Sequence, residues 1–165
     1  GLVDADRVAL AGHSAGGAVA FEAAAGGARV RAVVLLDAVP WPRTIEAAKG
    51  MGSTNLLSLR SEPSACNGKG SVRKLLESLP FESEDVRIVG GTHCDAEDPT
   101  DGACRLFCGG AGPEARAVYR RLLTLFVEEA LEVPAVEDAP AGYAEAVRRG
   151  VEDGSLVVEK VVPGR

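Results

Sequence analysis

The segment GHSAG at residues 12–16 restricts the fold more than any other part of this chain. An apolar stretch that predicts a strand precedes it, and a run of small residues that predicts a helix follows it. A serine at the tip of so tight a strand–turn–helix has a strained backbone, and side chains two residues to either side would collide. We therefore expect Gly12 and Gly16 to remove that collision, so that the Ser14 hydroxyl stands clear of the sheet.

The same turn predicts a chemical role for its serine. An exposed hydroxyl at this position is typical of a nucleophile, provided that a base is within reach. The N–H of Ala15 would lie at a helix N-terminus, where the helix dipole favours negative charge. We predict that Ser14 is a nucleophile and that Ala15 contributes one donor of an oxyanion hole.

Apolar stretches alternate with helical patterns beyond this turn, which predicts an α/β fold with a mostly parallel sheet. The predicted strands cover residues 7–11, 30–37, 55–60 and 86–89, and helices are predicted after Ser14 and over residues 72–78 and 113–131. The strands are nearly continuous in apolar residues, which is typical of a sheet covered by helices on both faces. No helix is predicted in the segment around Pro40, Trp41 and Pro42, which we interpret as a loop.

The composition changes after Leu131, where prolines and acidic residues become frequent. We divide the chain into residues 1–131, which form part of one α/β domain, and a C-terminal extension over residues 132–165. Within the extension, AGYAEAVRRGVEDG favours a helix and SLVVEKVV favours a strand. The extension either packs as an appendage or is partly mobile.

Charge and hydropathy exclude two classes of partner. The net charge is −6, whereas a nucleic-acid-binding domain is expected to carry a basic stripe. No apolar run approaches the roughly 20 residues that a membrane-spanning helix needs. We therefore predict neither a nucleic-acid partner nor a membrane span.

Two histidines are available as the base. His13 lies inside the turn, and its side chain should point away from the Ser14 hydroxyl, so we assign it to substrate contacts instead. His93 follows a predicted strand and two glycines, which places it at the carboxyl edge of the sheet, where the active sites of open parallel sheets gather. We predict that His93 is the general base.

Two acidic residues compete to orient that base. Asp37 directly ends the second predicted strand, and Glu62 lies just beyond the third. Both fit the order serine, acid, histidine along the chain, and we favour Asp37 because it stands at the strand end. Trp41, four residues later, either lines a substrate pocket or packs in the core.

All four cysteines lie between residues 66 and 108, namely Cys66, Cys94, Cys104 and Cys108. An even, clustered set favours two disulfides and an oxidising compartment, either secreted or periplasmic. A zinc site is the weaker alternative because no pair has the C-x2-C spacing. Four free thiols in a cytoplasmic protein are the other alternative.

Three segments together resemble α/β-hydrolase serine esterases: GHSAGG, LLDAVPW and GGTHC, in that order. The resemblance covers residues 1–131, the C-terminal part of that fold, and is strongest to the chlorophyllase-like and cutinase-like (polyester hydrolase) branch. In chlorophyllase-like members the acid follows the strand after the turn, in a D-P-V segment. The segment Asp37-Ala38-Val39 is similar, with alanine in place of proline, which is a second reason to prefer Asp37. In cutinase-like members a disulfide joins the acid and histidine loops, which implies the pairing Cys66–Cys94 and Cys104–Cys108.

The resemblance also implies the function. We expect hydrolysis of a small or polymeric carboxylic ester through an acyl-enzyme, with no metal and no organic cofactor. The early strands of that fold, which carry the second oxyanion donor, have no counterpart in this sequence, so we expect the missing N-terminal half as a partner. The alternatives are a thioesterase, lipase or amidase that uses the same residues, or an incomplete, non-catalytic segment that acts as a binding module.

Overall fold

A computed structural model describes residues 4–109, 112–134 and 142–163. Its centre is one five-stranded sheet whose strands lie side by side in chain order. Strands β1 to β4 are parallel, and β5 pairs antiparallel with β4. The strands are β1 (Ala9–His13), β2 (Ala32–Leu36), β3 (Asn55–Arg60), β4 (Ser83–Ile88) and β5 (Leu156–Val161). The predicted α/β arrangement with a mostly parallel sheet is therefore confirmed.

Six α-helices and one 3₁₀ helix connect and follow the strands within the described residues. The α-helices are α1 (Ala15–Ala25), α2 (Pro42–Ala48), α3 (Val72–Glu77), α4 (Gly102–Cys108), α5 (Pro113–Ala130) and α6 (Tyr143–Glu152). The 3₁₀ helix covers His93–Ala96, directly after β4. Among the described residues, no helix combines the length and apolar character needed to cross a membrane.

Helices cover both faces of the sheet, and β2 shows how the sequence achieves this. All five of its residues are buried. Val34 and Leu36 pack in one core with α5 and α6, while Val33 and Leu35 pack in the other with α1, α2 and α3. Successive side chains of a strand point to opposite faces, so a strand with a helix layer on each side must be apolar throughout.

Two α-helices were not predicted, for different reasons. Helix α2 begins at Pro42, which suits the first turn of a helix because proline has no N–H to leave unpaired. Helix α4 is only seven residues long and buries none of them, although Leu106 and Phe107 are apolar, so no core-facing pattern distinguishes it from a loop. Its first turn is capped by Asp101, whose carboxylate accepts a hydrogen bond from the Cys104 N–H at 2.7 Å.

The described part of the C-terminal extension belongs to the same core as the rest of the chain. It supplies the helix α6 and the strand β5, the two elements that the sequence favours there. Ala146 and Val147 of α6 and Leu156 of β5 are buried in the core that includes α5. These two elements therefore complete one end of the sheet. Residues 135–141 lie outside the described ranges.

The carboxyl ends of the four parallel strands meet at one edge of the sheet. Ser14 directly follows β1, Asp37 directly follows β2, and Glu62 and His93 come shortly after β3 and β4. Because parallel strands end at the same edge, residues far apart in sequence are brought close together there. These predicted site residues therefore all lie near the carboxyl edge of the sheet.

Candidate functional site

The turn at Ser14 has the strained geometry that the sequence predicts. Ser14 has φ 55° and ψ −124°, outside the regions that residues other than glycine usually adopt. A Cβ on Gly12 would lie 2.2 Å from the carbonyl oxygen of Gly16, so glycine is required at position 12. The expectation for Gly16 is wrong, because a Cβ there would meet nothing within 4 Å. Gly17 is the second position where a side chain would collide, since an added Cβ would lie 2.7 Å from the Cβ of Ala38.

Three of the predicted residues form one hydrogen-bonded chain. Ser14 Oγ lies 3.1 Å from His93 Nε2, and His93 Nδ1 lies 2.6 Å from Asp37 Oδ2. Asp37 and His93 are buried, whereas Ser14 is half-buried at the surface. The carboxylate accepts from Nδ1–H, which leaves Nε2 with a lone pair directed at the serine hydroxyl. The arrangement allows His93 to accept the proton of Ser14.

The carboxylate of Asp37 has further donors that sequence reasoning missed. Ser61 donates to it twice, from its N–H at 3.0 Å and from its hydroxyl at 2.8 Å. Asn67 Nδ2 lies 3.2 and 3.3 Å from the two carboxylate oxygens, and its own side-chain oxygen accepts from the N–H groups of Ser64 and Gly70. Serine and asparagine are common in loops, so nothing in the sequence distinguished these two.

These donors determine the charge of the site. Burial by itself raises the pKa of the Asp37 carboxyl, but hydrogen bonds from His93 and Ser61 outweigh it, and the pKa lies below its ordinary value. The carboxylate is thus ionised at neutral pH although it is buried. An ionised acceptor at this position holds the His93 ring in the tautomer with hydrogen on Nδ1.

Glu62, the alternative acid, lies elsewhere. Its carboxylate pairs with Arg87 at 2.5 Å and accepts from the N–H of Gly90 at 3.3 Å. In the structure, Asp37 and not Glu62 therefore contacts His93. Glu62 is instead engaged by Arg87, a residue of β4.

The two residues assigned to substrate contacts are placed differently. His13 is largely buried, and both of its ring nitrogens face protein acceptors: the carbonyl oxygen of His93 at 2.9 Å and Glu97 Oε1 at 3.1 Å. Trp41 is 37% exposed at the start of α2, with the Arg43 guanidinium 5.0 Å from its ring centroid. Trp41 is therefore not a core residue, and its contact with a substrate stays a prediction.

Ala15 is the first residue of α1. The N–H groups of the first turn of a helix have no acceptor within the helix, so the Ala15 N–H is free of intrahelical bonding and adjoins the Ser14 side chain. Its position is the one expected for an oxyanion donor, and that role stays a prediction.

Two disulfides are present, but the predicted pairing is wrong. Cys66 bonds Cys108, and Cys94 bonds Cys104, each with Cα atoms 5.8 Å apart. The unexpected helix α4 is the reason, because it lies between the two loops and offers one cysteine to each. The bridges join the neighbours of Asn67 and His93 to this one helix.

The sulfur atoms of Cys94, Cys104 and Cys108 lie within 4.8 Å of one another, but disulfide sulfurs do not offer the thiolates that zinc needs. Two disulfides are compatible with an oxidising compartment.

Trypsin digestion without reduction should establish this pairing. Cleavage after Arg87 and Arg105 leaves Cys94 and Cys104 in one peptide, and separates both from Cys66 and Cys108. The observed pairing predicts one internally bridged peptide and one linked pair of peptides. The pairing Cys66–Cys94 with Cys104–Cys108 would instead give a single complex of three peptides, and mass spectrometry distinguishes the two results.

Comparison of the sequence with models of known protein families found no match, and comparison with curated proteins found none either.

Proposed function

We propose that this protein hydrolyses carboxylic esters through a covalent acyl-enzyme. One observation carries the proposal, the chain of hydrogen bonds from Ser14 through His93 to Asp37. A nucleophile, a base and a group that orients the base, each within hydrogen-bond distance of the next, are the requirements of acyl transfer by a serine. The strained turn that presents Ser14 supports the same reading.

In the proposed mechanism, His93 Nε2 accepts the proton of Ser14 while Oγ attacks the ester carbonyl. Asp37 holds His93 in the tautomer with hydrogen on Nδ1 and stabilises the imidazolium that forms. The imidazolium then protonates the leaving alcohol, and the acyl group stays on Oγ. A water molecule, deprotonated by His93, attacks this acyl-enzyme and releases the acid. The steps require no metal and no organic cofactor.

The tetrahedral intermediate needs two donors for its negative oxygen, and Ala15 supplies one. We propose that the second comes from another segment of an α/β-hydrolase domain that pairs with β1. Among the described residues, β1 pairs with β2 alone, so its other edge has unpaired backbone groups. Helix α1 exposes Val19 by 54%. An edge strand of this kind is suited to a further strand.

The substrate class is proposed from the resemblance to chlorophyllase-like and cutinase-like esterases, and the two disulfides are consistent with a secreted or periplasmic esterase. A thioesterase, lipase or amidase would use the same three residues, because the pockets around them set specificity. Hydrolysis of p-nitrophenyl butyrate compared with butyryl-CoA and the matching anilide distinguishes these substrate classes.

Labelling with a fluorophosphonate tests the proposal most directly. We expect a phosphonyl adduct on Ser14, located by peptide mass spectrometry, because an activated serine attacks phosphorus as it attacks a carbonyl. Ser14→Ala should abolish the adduct, and His93→Ala should slow its formation by at least about 10³-fold.

The matched control is Ser78→Ala, which removes a serine hydroxyl at the other end of α3, where it donates to the Lys74 carbonyl. That variant should label at the wild-type rate. If the chain labels only after an N-terminal partner segment is added, the segment hypothesis for the second donor gains support. If Ser14 stays unlabelled with and without such a segment, the hydrolase mechanism is wrong and a binding role is favoured.

A further inference from the structure

His13 occupies an unusual position between the nucleophile and the base. It is the last residue of β1, adjacent to Ser14 in sequence, and its ring centroid lies 4.5 Å from that of His93. Its Nε2 lies 2.9 Å from the carbonyl oxygen of His93. The mechanism proposed above gives this imidazole no task.

Both neighbours of the His13 ring are hydrogen-bond acceptors. A carbonyl oxygen always accepts, and a carboxylate that holds no proton also accepts only. A neutral imidazole offers one N–H and one lone pair, so it satisfies one of these contacts and opposes the other. Both contacts are favourable only if one further proton lies between His13 Nδ1 and Glu97 Oε1, which are 3.1 Å apart. His13 and Glu97 must then share that proton.

The consequence for the base is direct. His13 contacts the main-chain carbonyl oxygen of His93, the base itself. This contact therefore restrains the first residue of the 3₁₀ helix. Small displacements of a base relative to its nucleophile are costly in rate. Losing the shared proton turns one of the two contacts of His13 into a repulsion between acceptors.

We propose that His13 and Glu97 form a positioning pair that shares one proton and holds the His93 main chain in its working position, so that activity depends on the protonation of this pair. The proposal rests on the proposed function, because it concerns the same base. It identifies His13 and Glu97 as positioning residues, and neither touches the reacting atoms.

The charged groups that face His13 are few. They are Glu97 at the end of the 3₁₀ helix, His93 within it and Asp37 after β2. Burial lowers the pKa of the His13 imidazole, and the neighbouring His93 ring lowers it further, while Glu97 and the hydrogen bond to the His93 carbonyl oppose these effects. On balance the pKa of the His13 imidazole lies below its ordinary value, so the pair should release its proton on the acid side of neutrality, and the contact is weakened as pH rises from there.

Glu97→Gln is the informative variant. The amide of glutamine donates to Nδ1, and His13 then donates from Nε2 to the His93 carbonyl without any extra proton. We measure kcat/KM for p-nitrophenyl butyrate from pH 5 to pH 8 in the wild type and in the variant, a range that includes the acid side of neutrality. The kcat/KM of the variant divided by that of the wild type should rise by at least about threefold from the lowest to the highest of these pH values, because only the wild type loses its shared proton.

Asp98→Asn provides the matched control, with the same loss of charge one position further along. The carboxylate of Asp98 pairs with Arg116 and Arg120, not with His13. The kcat/KM of Asp98→Asn divided by that of the wild type should not change with pH. A purely structural role of Glu97 would likewise give a ratio that is independent of pH, and that result would overturn the proposal.

His13→Phe tests the positioning itself, because phenylalanine fills the space of the ring and donates nothing. We expect kcat to fall by about tenfold with KM little changed. His13→Gln, whose amide can still donate to the His93 carbonyl, should recover part of that loss and remains informative if His13→Phe does not fold. If both variants have wild-type kcat, the proposal is wrong.

The fluorophosphonate experiment separates this inference from the function on which it rests. Absence of Ser14 labelling in the wild type, both with and without an added N-terminal segment, means that the esterase proposal has failed. Normal labelling in the wild type, together with a flat Glu97→Gln ratio and unchanged His13 variants, means that the esterase proposal stands and the positioning pair has failed.

Discussion

Replacing Asp37 with asparagine is expected to lower kcat for ester hydrolysis by about 10³- to 10⁴-fold. The amide would present an N–H or a neutral oxygen to His93 Nδ1, 2.6 Å away, where the wild type has a carboxylate. The imidazole then loses both its preferred tautomer and the charge that stabilises its protonated form. The backbone should tolerate the change, since Asp37 has φ 44° and asparagine adopts that conformation readily.

Glu62→Gln is the matched control for this prediction. It makes the same chemical change in the other candidate acid, whose carboxylate contacts Arg87 and the Gly90 N–H. We expect its kcat to stay within about threefold of the wild type, because it touches none of the three reacting residues. Steady-state kinetics with p-nitrophenyl butyrate gives kcat for both variants and so distinguishes the two candidate acids. A large loss in Glu62→Gln with little loss in Asp37→Asn would reverse the assignment of the acid.

The second large effect concerns folding. Gly12→Ala is expected to reduce the free energy of unfolding by about 3 kcal/mol or more, because its Cβ would lie 2.2 Å from a backbone oxygen of α1. Backbone atoms of a helix cannot move aside as a flexible side chain can. Gly17→Ala should be similarly destabilising, since its Cβ would meet Ala38 at 2.7 Å and the Gly12 oxygen at 2.8 Å.

Gly16→Ala supplies the control, from within the same turn. Its Cβ meets nothing within 4 Å, and alanine favours a helix over glycine by roughly 1 kcal/mol. We expect its stability to equal or slightly exceed that of the wild type. Urea denaturation of the three variants measures the difference. Equal destabilisation by Gly12→Ala and Gly16→Ala would show that the close approach at Gly12 does not determine the turn.

Several parts of this protein follow from its sequence alone. The strand–turn–helix at Ser14, the parallel sheet and the order in which Ser14, Asp37 and His93 occur are all written in local patterns. The structure brings these three residues together because each follows a strand of one parallel sheet, and parallel strands end at one edge. The local patterns and the rule that parallel strands end at one edge predict that these three residues lie close together.

Other parts were decided by the tertiary structure. The short helix α4 buries none of its residues, so no core-facing pattern predicted it, and the cysteine pairing that the resemblance implied was wrong. The close approach at Gly17 depends on Ala38, which belongs to a different strand end. Ser61 and Asn67 reach Asp37, and Glu97 reaches His13, only after the loops have folded.

The physical reason for this division is the range of the interactions. Strand and helix preferences, the need for glycine at the turn and the apolar character of buried strands act between neighbours in the chain, so the sequence by itself determined the sheet and the position of Ser14. Hydrogen bonds to a buried carboxylate, disulfide partners and contacts between side chains of separate loops depend on where whole elements pack. For this protein, the sequence determined which residues stand at the carboxyl edge of the sheet, and only the tertiary structure decided which groups hold them there.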